Sequence, residues 1–424
     1  VYDYCHIGHA RVLVSFDVIT RYLRHLNYDV HYIRNITDVD DKIFARAAEN
    51  NESYEALTER FIAAMHEDEA ALMVYSPDQE PRATAHIAEI VDMIQTLIER
   101  GIAYAADNGD VYYAIDQFPD YGKLSKRNTE DLLAGARVDV EKHKNNPLDF
   151  VLWKAAKEGE ASWESPWGNG RPGWHIECVA MSLHLLGDGF DIHGGGDDLT
   201  FPHHENERAE CLGCGRPFAR LWVHNGMVQV GTEKMSKSLG NFWTLAELLD
   251  NWDPRALRLL VLQTHYRKTM EIGEDTLRTA SAALERLDGF ARRIAAANLP
   301  DTPADEATVD RFRQAMDDDL GTAAAMAIVF AAVRDANRAL DAEDADTVAA
   351  LAAAVTELSG VLGLRLAGMT TVGDDGGAID GLVTARSAAK AAEDYAEADR
   401  IRDELTSRGV VLEDSTTGTA WRRA

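Results

Sequence analysis

Near the start of the chain runs His6-Ile7-Gly8-His9, and the residues after it repeat apolar side chains at helical spacing: Val12, Leu13, Phe16, Ile19 and Leu23. Two imidazoles three positions apart share one face of a helix start, and the glycine between them lets a ligand or side chain approach the backbone. The start of a helix offers unpaired N–H groups and a positive dipole end to an anion. Far downstream, Lys234-Met235-Ser236-Lys237-Ser238 packs two lysines and two hydroxyls into a short run that ends in Leu239-Gly240-Asn241 and reads as a mobile loop. Lysine ammonium groups are compact charges suited to a departing polyphosphate. Alone, the first run also describes a histidine that merely starts a helix, and the second a polar loop. Together, in this order, they point to a phosphate site made of two distant segments.

The strand and helix signals around these runs alternate. The segment 29–34 alternates like a strand, a turn-rich stretch follows at 35–41, and 83–100 is amphipathic with Ile87, Ile90, Ile94 and Leu97 on one face. Such alternation predicts a parallel sheet with crossovers. A different texture covers 101–172: a short strand at 110–115, then prolines, glycines and tryptophans, as expected of an insertion. Beyond Pro254 the chain turns helical, with segments 276–297, 309–316, 323–340 and 347–364 of bundle length. A linker at 367–377 precedes one or two helices over 379–407 and a strand-like run at 409–414.

At 424 residues, several domains are expected. No apolar run approaches the ~18 residues of a membrane span, and no secretory leader opens the chain. Four cysteines make no disulfide framework, which suits a cytoplasmic protein. The net charge of −28, from 71 acidic and 43 basic residues, runs against a nucleic-acid partner. Either the acid is a solvation layer suited to high salt, concentrated in segments such as 341–346 and Asp374-Asp375, or the chain binds no nucleic acid. A halophilic or salt-tolerant source fits the first reading.

Cys178, His203 and Glu207 form a candidate metal set. His203 and Glu207 are four apart and share a helical face, and a cysteine completes a donor set that zinc accepts. On spacing alone, a buried cysteine beside a polar helix is the commoner case. Cys211-x-x-Cys214 is a further metal-ligand fragment or a reduced pair on a turn. The run His193-Gly194-Gly195-Gly196-Asp197-Asp198 reads as a glycine-rich turn after a strand, open to a nucleotide ribose or phosphate through Gly194, Gly195 and Asp198. Trp421-Arg422-Arg423 joins a stacking plane to two forked donors, suited to unstacked bases, and Arg386, Lys390, Arg400 and Arg402 form a modest basic stripe upstream.

The two signature runs resemble those of class I aminoacyl-tRNA synthetases. Asn35-Ile36-Thr37-Asp38-Val39-Asp40-Asp41-Lys42-Ile43, Gly173-Trp174-His175-Ile176-Glu177-Cys178, Asp191-Ile192-His193-Gly194-Gly195-Gly196, Phe201-Pro202-His203-His204-Glu205-Asn206-Glu207 and the terminal Trp421-Arg422-Arg423 narrow the resemblance to cysteinyl-tRNA synthetases, over the whole chain. The resemblance implies an α/β fold with a Rossmann-type parallel-sheet catalytic domain (1–100 and 173–224) split by a connective insertion (101–172). A stem-contact region (225–280), a helical bundle (281–366) and a small anticodon-binding domain (378–424) follow.

It further implies activation of L-cysteine by ATP and transfer to the 3′-terminal adenosine of tRNA-Cys. His6, His9, Lys234 and Lys237 would act on the phosphates. Thr37 and Trp174 would line the amino-acid pocket, and Met227 and Val228 the adenine side. Zn2+ would sit on Cys178, His203 and Glu207, with a fourth, cysteine ligand expected before Val1, in a start that this chain is expected to lack. Mg2+ would accompany ATP, and a monomer is expected. Two rivals stand beside this reading: a cysteine ligase of the same descent that passes the adenylate to an amino-sugar amine, which would lack the tail 379–424, and a noncatalytic RNA-binding paralogue, which would have lost a signature lysine or histidine.

Overall fold

The structure is a computed structural model that describes residues 1–128, 143–157, 160–230, 233–234, 243–297, 299–367, 382–383, 386, 389–390, 394–407, 410–415 and 418–423. The second signature from Met235 onward, Lys237 included, lies outside the described residues, as does most of the expected linker. The chain divides into two compact units. The first comprises Val1–Leu287, Asp310–Ala331 and Val361–Leu364, and the second Asp288–Val309, Ala332–Gly360 and Arg365–Ala424.

In the first unit, helix α1 (Ile7–His25) begins directly after His6. Its buried stripe is Ile7, Ala10, Leu13, Val14, Val18, Ile19 and Tyr22, together with the charged Arg11 and Asp17. The expected strand at 29–34 is extended backbone in parallel register with 78–83: Ile33 faces Gln79 and Ile36 faces Arg82. Arg34 N–H donates to Gln79 O (3.1 Å) and Ile36 N–H to Pro81 O (2.8 Å). Pro81 has no N–H to give back, so the pairing stays at single bridges instead of a full ladder.

Helices α2 (Asp41–Asn50) and α3 (Tyr54–Ala71) start on side-chain caps, Asp40 accepting from Lys42 N–H and Ser53 from Ala56 N–H. Helix α4 (Ile87–Glu99) follows. Strands β1 (Ala103–Ala105), β2 (Val111–Tyr113), β3 (Phe150–Ala155) and β4 (Gly170–Pro172) make one antiparallel sheet in that order. The antiparallel sheet falls within the segment 101–172, whose texture differs in the sequence. Among the described residues, this sheet shares its core: Val111, Tyr113, Leu152 and Trp153 belong to one apolar cluster with Ile90, Ile94 and Leu97 of α4 and with Val179 and Leu183 of helix α5 (Trp174–Leu186).

Strand β5 (Ile192–Gly196) pairs in parallel with β6 (Leu221–Asn225), joined through helix α6 (Glu205–Gly213). The glycine run is therefore part of the strand and not a turn after it; the turn is Asp197–Leu199. A Cβ on Gly194 would strike the Phe16 ring of α1, so the glycine is what lets α1 lie against this sheet. Strand β7 (Val228–Val230) pairs antiparallel with β8 (Glu233–Lys234) and parallel with β9 (Met270–Ile272). Helices α7 (Leu245–Asn251) and α8 (Pro254–Leu262) lie between β8 and β9 in the chain.

Helices α9 (Glu274–Ala296), α10 (Glu306–Asp317), α11 (Thr322–Asp341) and α12 (Ala345–Val361) match the four helical segments read from the sequence within a few residues. In the second unit, Arg293 bonds Asn337 and Asp341, and Asp288 accepts from Ala367 N–H at 2.8 Å. Residues 341–346 are exposed, as their charge requires. Helix α13 (Tyr395–Ser407) packs Ile401 and Leu405 on Val383 and is followed by a hairpin of β10 (Val410–Ser415) and β11 (Gly418–Arg423). Leu412 faces Trp421 in that hairpin, so the terminal Trp-Arg-Arg belongs to a paired strand instead of a frayed tail. The basic stripe is not an open row of cations: Arg386 is buried, Arg400 lies between Glu397 and Glu404, and Arg402 pairs with Asp399.

Candidate active site and metal-ligand cluster

His6 is the N-cap of α1. Its Nδ1 accepts from Gly8 N–H (3.0 Å), and its own N–H donates to His9 Nδ1 (3.1 Å), a reciprocal capping box made from two histidines. Each ring uses Nδ1 as an acceptor, which assigns the hydrogen of the neutral ring to Nε2. Both signature imidazoles are therefore set as Nε2–H donors, with ring centres 3.9 Å apart. A Cβ on Gly8 would lie 2.7 Å from His6 Cε1, so the glycine makes room for the His6 ring itself.

The chain around the second signature is tied to the first at both ends. Upstream, Arg11 of α1 donates to the carbonyl of Met227 (2.6 Å), next to Val228 at the start of β7. Downstream, His6 pairs with Thr244 and Leu245 N–H donates to Cys5 O at 2.8 Å. Lys234 opens the second signature on strand β8, opposite Gln229, where the sequence reads as a loop. The parallel strands β5 and β6 end at Gly196 and Asn225, the carboxyl-end position where open α/β sheets take ligands. Asp198 is exposed in the turn just beyond, Gly195 is hemmed in by Leu199 and His204, and Asn225 Oδ1 is buried without a hydrogen-bond partner.

Cys178, His203 and Glu207 come together. All three are buried, and their donor atoms lie within 4.8 Å of one another. Cys178 Sγ is 3.6 Å and Glu207 Oε1 2.7 Å from the same atom, His203 Nε2. Gly173 passes hard against the Val151 carbonyl, where any Cβ would clash, and this starts α5 with Trp174 one turn before Cys178. The half-exposed Trp174 stacks on the His203 ring, centres 4.0 Å apart. Thr37 reaches the cluster through Asn35, whose Nδ2 is 3.4 Å from Thr37 Oγ1 and 3.5 Å from Cys178 Sγ.

Burial alone would raise the Glu207 carboxyl, but His193 (2.6 Å) and His203 hold it well below the usual carboxylate range. Burial, then Glu207 and Glu177, pushes the Cys178 thiol well up. Neither Glu207 oxygen makes an aligned hydrogen bond, although both lie against imidazoles. Soft sulfur, imidazole and carboxylate atoms converging in a buried space, with the carboxylate unsatisfied, fit a metal cofactor. Cys211 and Cys214 do not join them: Cys211 Sγ donates to Arg216 O, Cys214 Sγ donates to Met93 O, and both sit in the apolar core.

Sequence reasoning missed the surroundings of this cluster. Five of the chain's 14 histidines gather here, His175 against His203 (2.6 Å) and His204 against His224 (2.8 Å) among them. Their scatter over 50 positions hid the grouping. Asn35 and His193 lie in motifs that carry the resemblance, which was the available signal.

Residues 1–282 match the family model of the tRNA synthetases class I (C) catalytic domain, 311–367 that of the DALR domain, and 375–422 that of the Cysteinyl-tRNA ligase anticodon binding domain. The fold is similar to that of Mycobacterium tuberculosis methionyl-tRNA synthetase bound by methionyl-adenylate, with a TM-score of 0.64 over 85% of this chain and 88% of that one at 17% identity. A structure described as a putative arginyl tRNA synthetase from Campylobacter jejuni gives a TM-score of 0.59 over 87% and 91% at 14% identity. Fold and site together define a class I tRNA synthetase, an ATP-dependent ligase. Over the whole chain and 93% of each relative, the sequence is 54% identical to cysteine–tRNA ligases of Marinobacter nauticus, Alkalilimnicola ehrlichii and Pseudomonas aeruginosa. The chain belongs to the cysteine–tRNA ligase family. No helix among the described residues is long and apolar enough to cross a membrane.

Proposed function

We propose that this chain activates L-cysteine with ATP as cysteinyl-adenylate and passes the cysteinyl group from it to the 3′-terminal adenosine of tRNA-Cys, releasing AMP. The cysteine carboxylate attacks the α-phosphorus, the bond to the bridging oxygen of the β-phosphate breaks, and pyrophosphate leaves with its Mg2+. No covalent enzyme intermediate is needed; positioning and charge carry the reaction. His6 and His9 donate from Nε2 to phosphate oxygens, aided by the N-terminal dipole of α1. Lys234 and Lys237 meet the charge that grows on the leaving group. The backbone at Gly194 and Gly195, with Asp198, receives the ribose side, and Met227 and Val228 the adenine.

The observation that carries the cysteine reading is the convergence of Cys178, His203 and Glu207 within 4.8 Å under Trp174. These three residues would hold zinc, which supplies a preference for a thiolate over a hydroxyl. Serine differs from cysteine by one atom of similar size, and a pocket of shape alone rejects it weakly. Trp174 and Thr37 orient the amino acid above the cluster. Trp421, Arg422 and Arg423 would read the anticodon by stacking and forked hydrogen bonds.

The test is His203→Ala. Tightly held zinc should fall from about one per chain, and the KM for cysteine in ATP–pyrophosphate exchange should rise by roughly 100-fold with the KM for ATP little changed. Full zinc content with an unchanged cysteine KM would remove the basis of the reading.

A further inference from the structure

A second cluster of metal-ligating side chains lies outside the site described above. His86 immediately precedes α4, Glu89 lies in its first turn, and His184 lies in the last turn of α5. His184 Nδ1 is 3.6 Å and His86 Nδ1 3.8 Å from the same atom, Glu89 Oε1, and donor atoms of all three residues lie within 4.8 Å of one another. These separations are too long for hydrogen bonds. They are close to the ~3.4 Å between ligand atoms that tetrahedral coordination at ordinary zinc–nitrogen and zinc–oxygen lengths requires.

His86 adds an independent observation. It occupies the N-cap of α4 but makes no side-chain cap, and its Nδ1 is buried with no hydrogen-bond partner. A buried donor or acceptor without a partner is costly, so its retention asks for one. The two imidazole rings stand edge to face, centres 5.4 Å apart. The helices beneath are locked by Ile90, Met93 and Ile94 of α4 against Val179, Ala180 and Leu183 of α5, so the donor atoms are held on a rigid frame.

We propose that His86, Glu89 and His184 form a second site for a late first-row divalent cation, of the class of Zn2+, Co2+ or Ni2+. Two imidazoles and one carboxylate suit that class, and half-exposed His184 leaves the remaining positions to water. The ion clamps the start of α4 to the end of α5, the helix whose other end carries Trp174 and Cys178. It is a weaker site than the buried one because its ligands face solvent on one side.

Titration of the metal-free full chain with Co2+, followed by absorption, separates the two sites. One equivalent at the Cys178 site should give a thiolate-to-metal charge-transfer band that Cys178→Ser removes. A second, weaker equivalent should give ligand-field bands without that charge transfer. In the double variant H86Q/H184Q this second equivalent should weaken by about 100-fold or more, beyond what loss of an outer-sphere partner costs, while the charge-transfer band persists. His184→Gln alone, a half-exposed change that spares the helix packing, should produce the same selective loss. A single equivalent in the unaltered chain, or a second equivalent that survives in both variants, would overturn the proposal.

Discussion

Arg11, buried one turn into the helix that follows His6, donates a 2.6 Å hydrogen bond to the carbonyl of Met227. Its guanidinium also reaches the carbonyls of His265, Tyr266 and Lys268. Burial lowers its pKa to about 10, and the fork of donors is satisfied by backbone oxygens. One side chain thus joins the helix that bears the first signature, the strand leading to the second, and the turn before β9.

Arg11→Lys keeps the charge and loses the fork. The expected result is a folded protein whose kcat for cysteine-dependent pyrophosphate exchange falls by roughly 10–100-fold, because a displacement of about 1 Å can cost that much. Unchanged kcat with lowered thermal stability would make Arg11 a purely structural anchor.

Gly8→Ala separates stability from catalysis. Alanine in place of a helical glycine adds up to about 1 kcal/mol of helix propensity. The new Cβ, 2.7 Å from His6 Cε1, must turn that ring away from its cap. Exchange should drop by about 100-fold at saturating ATP, while thermal unfolding shifts little, because the propensity gain is offset by the lost His6 cap, worth about 0.5–2 kcal/mol.

Asp17 and Arg258 form a fully buried ion pair, and Arg21 lies 2.7 Å from the same Asp17 Oδ2. Burial raises the Asp17 carboxyl, but the two guanidiniums prevail and hold it below the ordinary value of 3.8. A depressed carboxylate contributes stability that is present in full above its unfolded pKa and is lost as pH falls through the folded one. Asp17→Asn should therefore cost about 3–5 kcal/mol near neutral pH, since it leaves Arg258 buried without its counter-charge. It should also flatten the loss of stability below pH ~4. Urea unfolding from pH 3 to 7 measures both effects.

Removing residues 379–424 should leave pyrophosphate exchange nearly intact while tRNA charging falls strongly, and anticodon changes in the tRNA should cease to matter. Charging and anticodon preference untouched by the truncation would make the terminal hairpin structural.

The helices were legible because each buries a stripe of regular period: α9 to α12 lie where the Ala-, Leu- and Arg-rich segments put them. The strands were less so. The segment 29–34 alternates, yet its partner runs through Pro81, which cannot complete a ladder. The glycine run 194–196 reads as a turn because glycines usually mark one, whereas here they let Phe16 and His204 approach a strand. In the site, the four-residue step from His203 to Glu207 was visible, but Asn35, His175 and His193 are brought in by tertiary packing that no local period encodes. The basic stripe misled because charge was counted without its partners: Glu397, Glu404 and Asp399 are neighbours in the same helix.

If Cys178, His203 and Glu207 hold zinc, the enzyme reads cysteine through its sulfur. The most direct measurement is ATP–pyrophosphate exchange with cysteine and with serine, before and after the chain is stripped of metal by a chelator. Strong exchange with cysteine, almost none with serine, loss of the cysteine signal on stripping, and its return when Zn2+ is added are the expected results. Undiminished, cysteine-selective exchange by the metal-free chain would contradict the zinc reading.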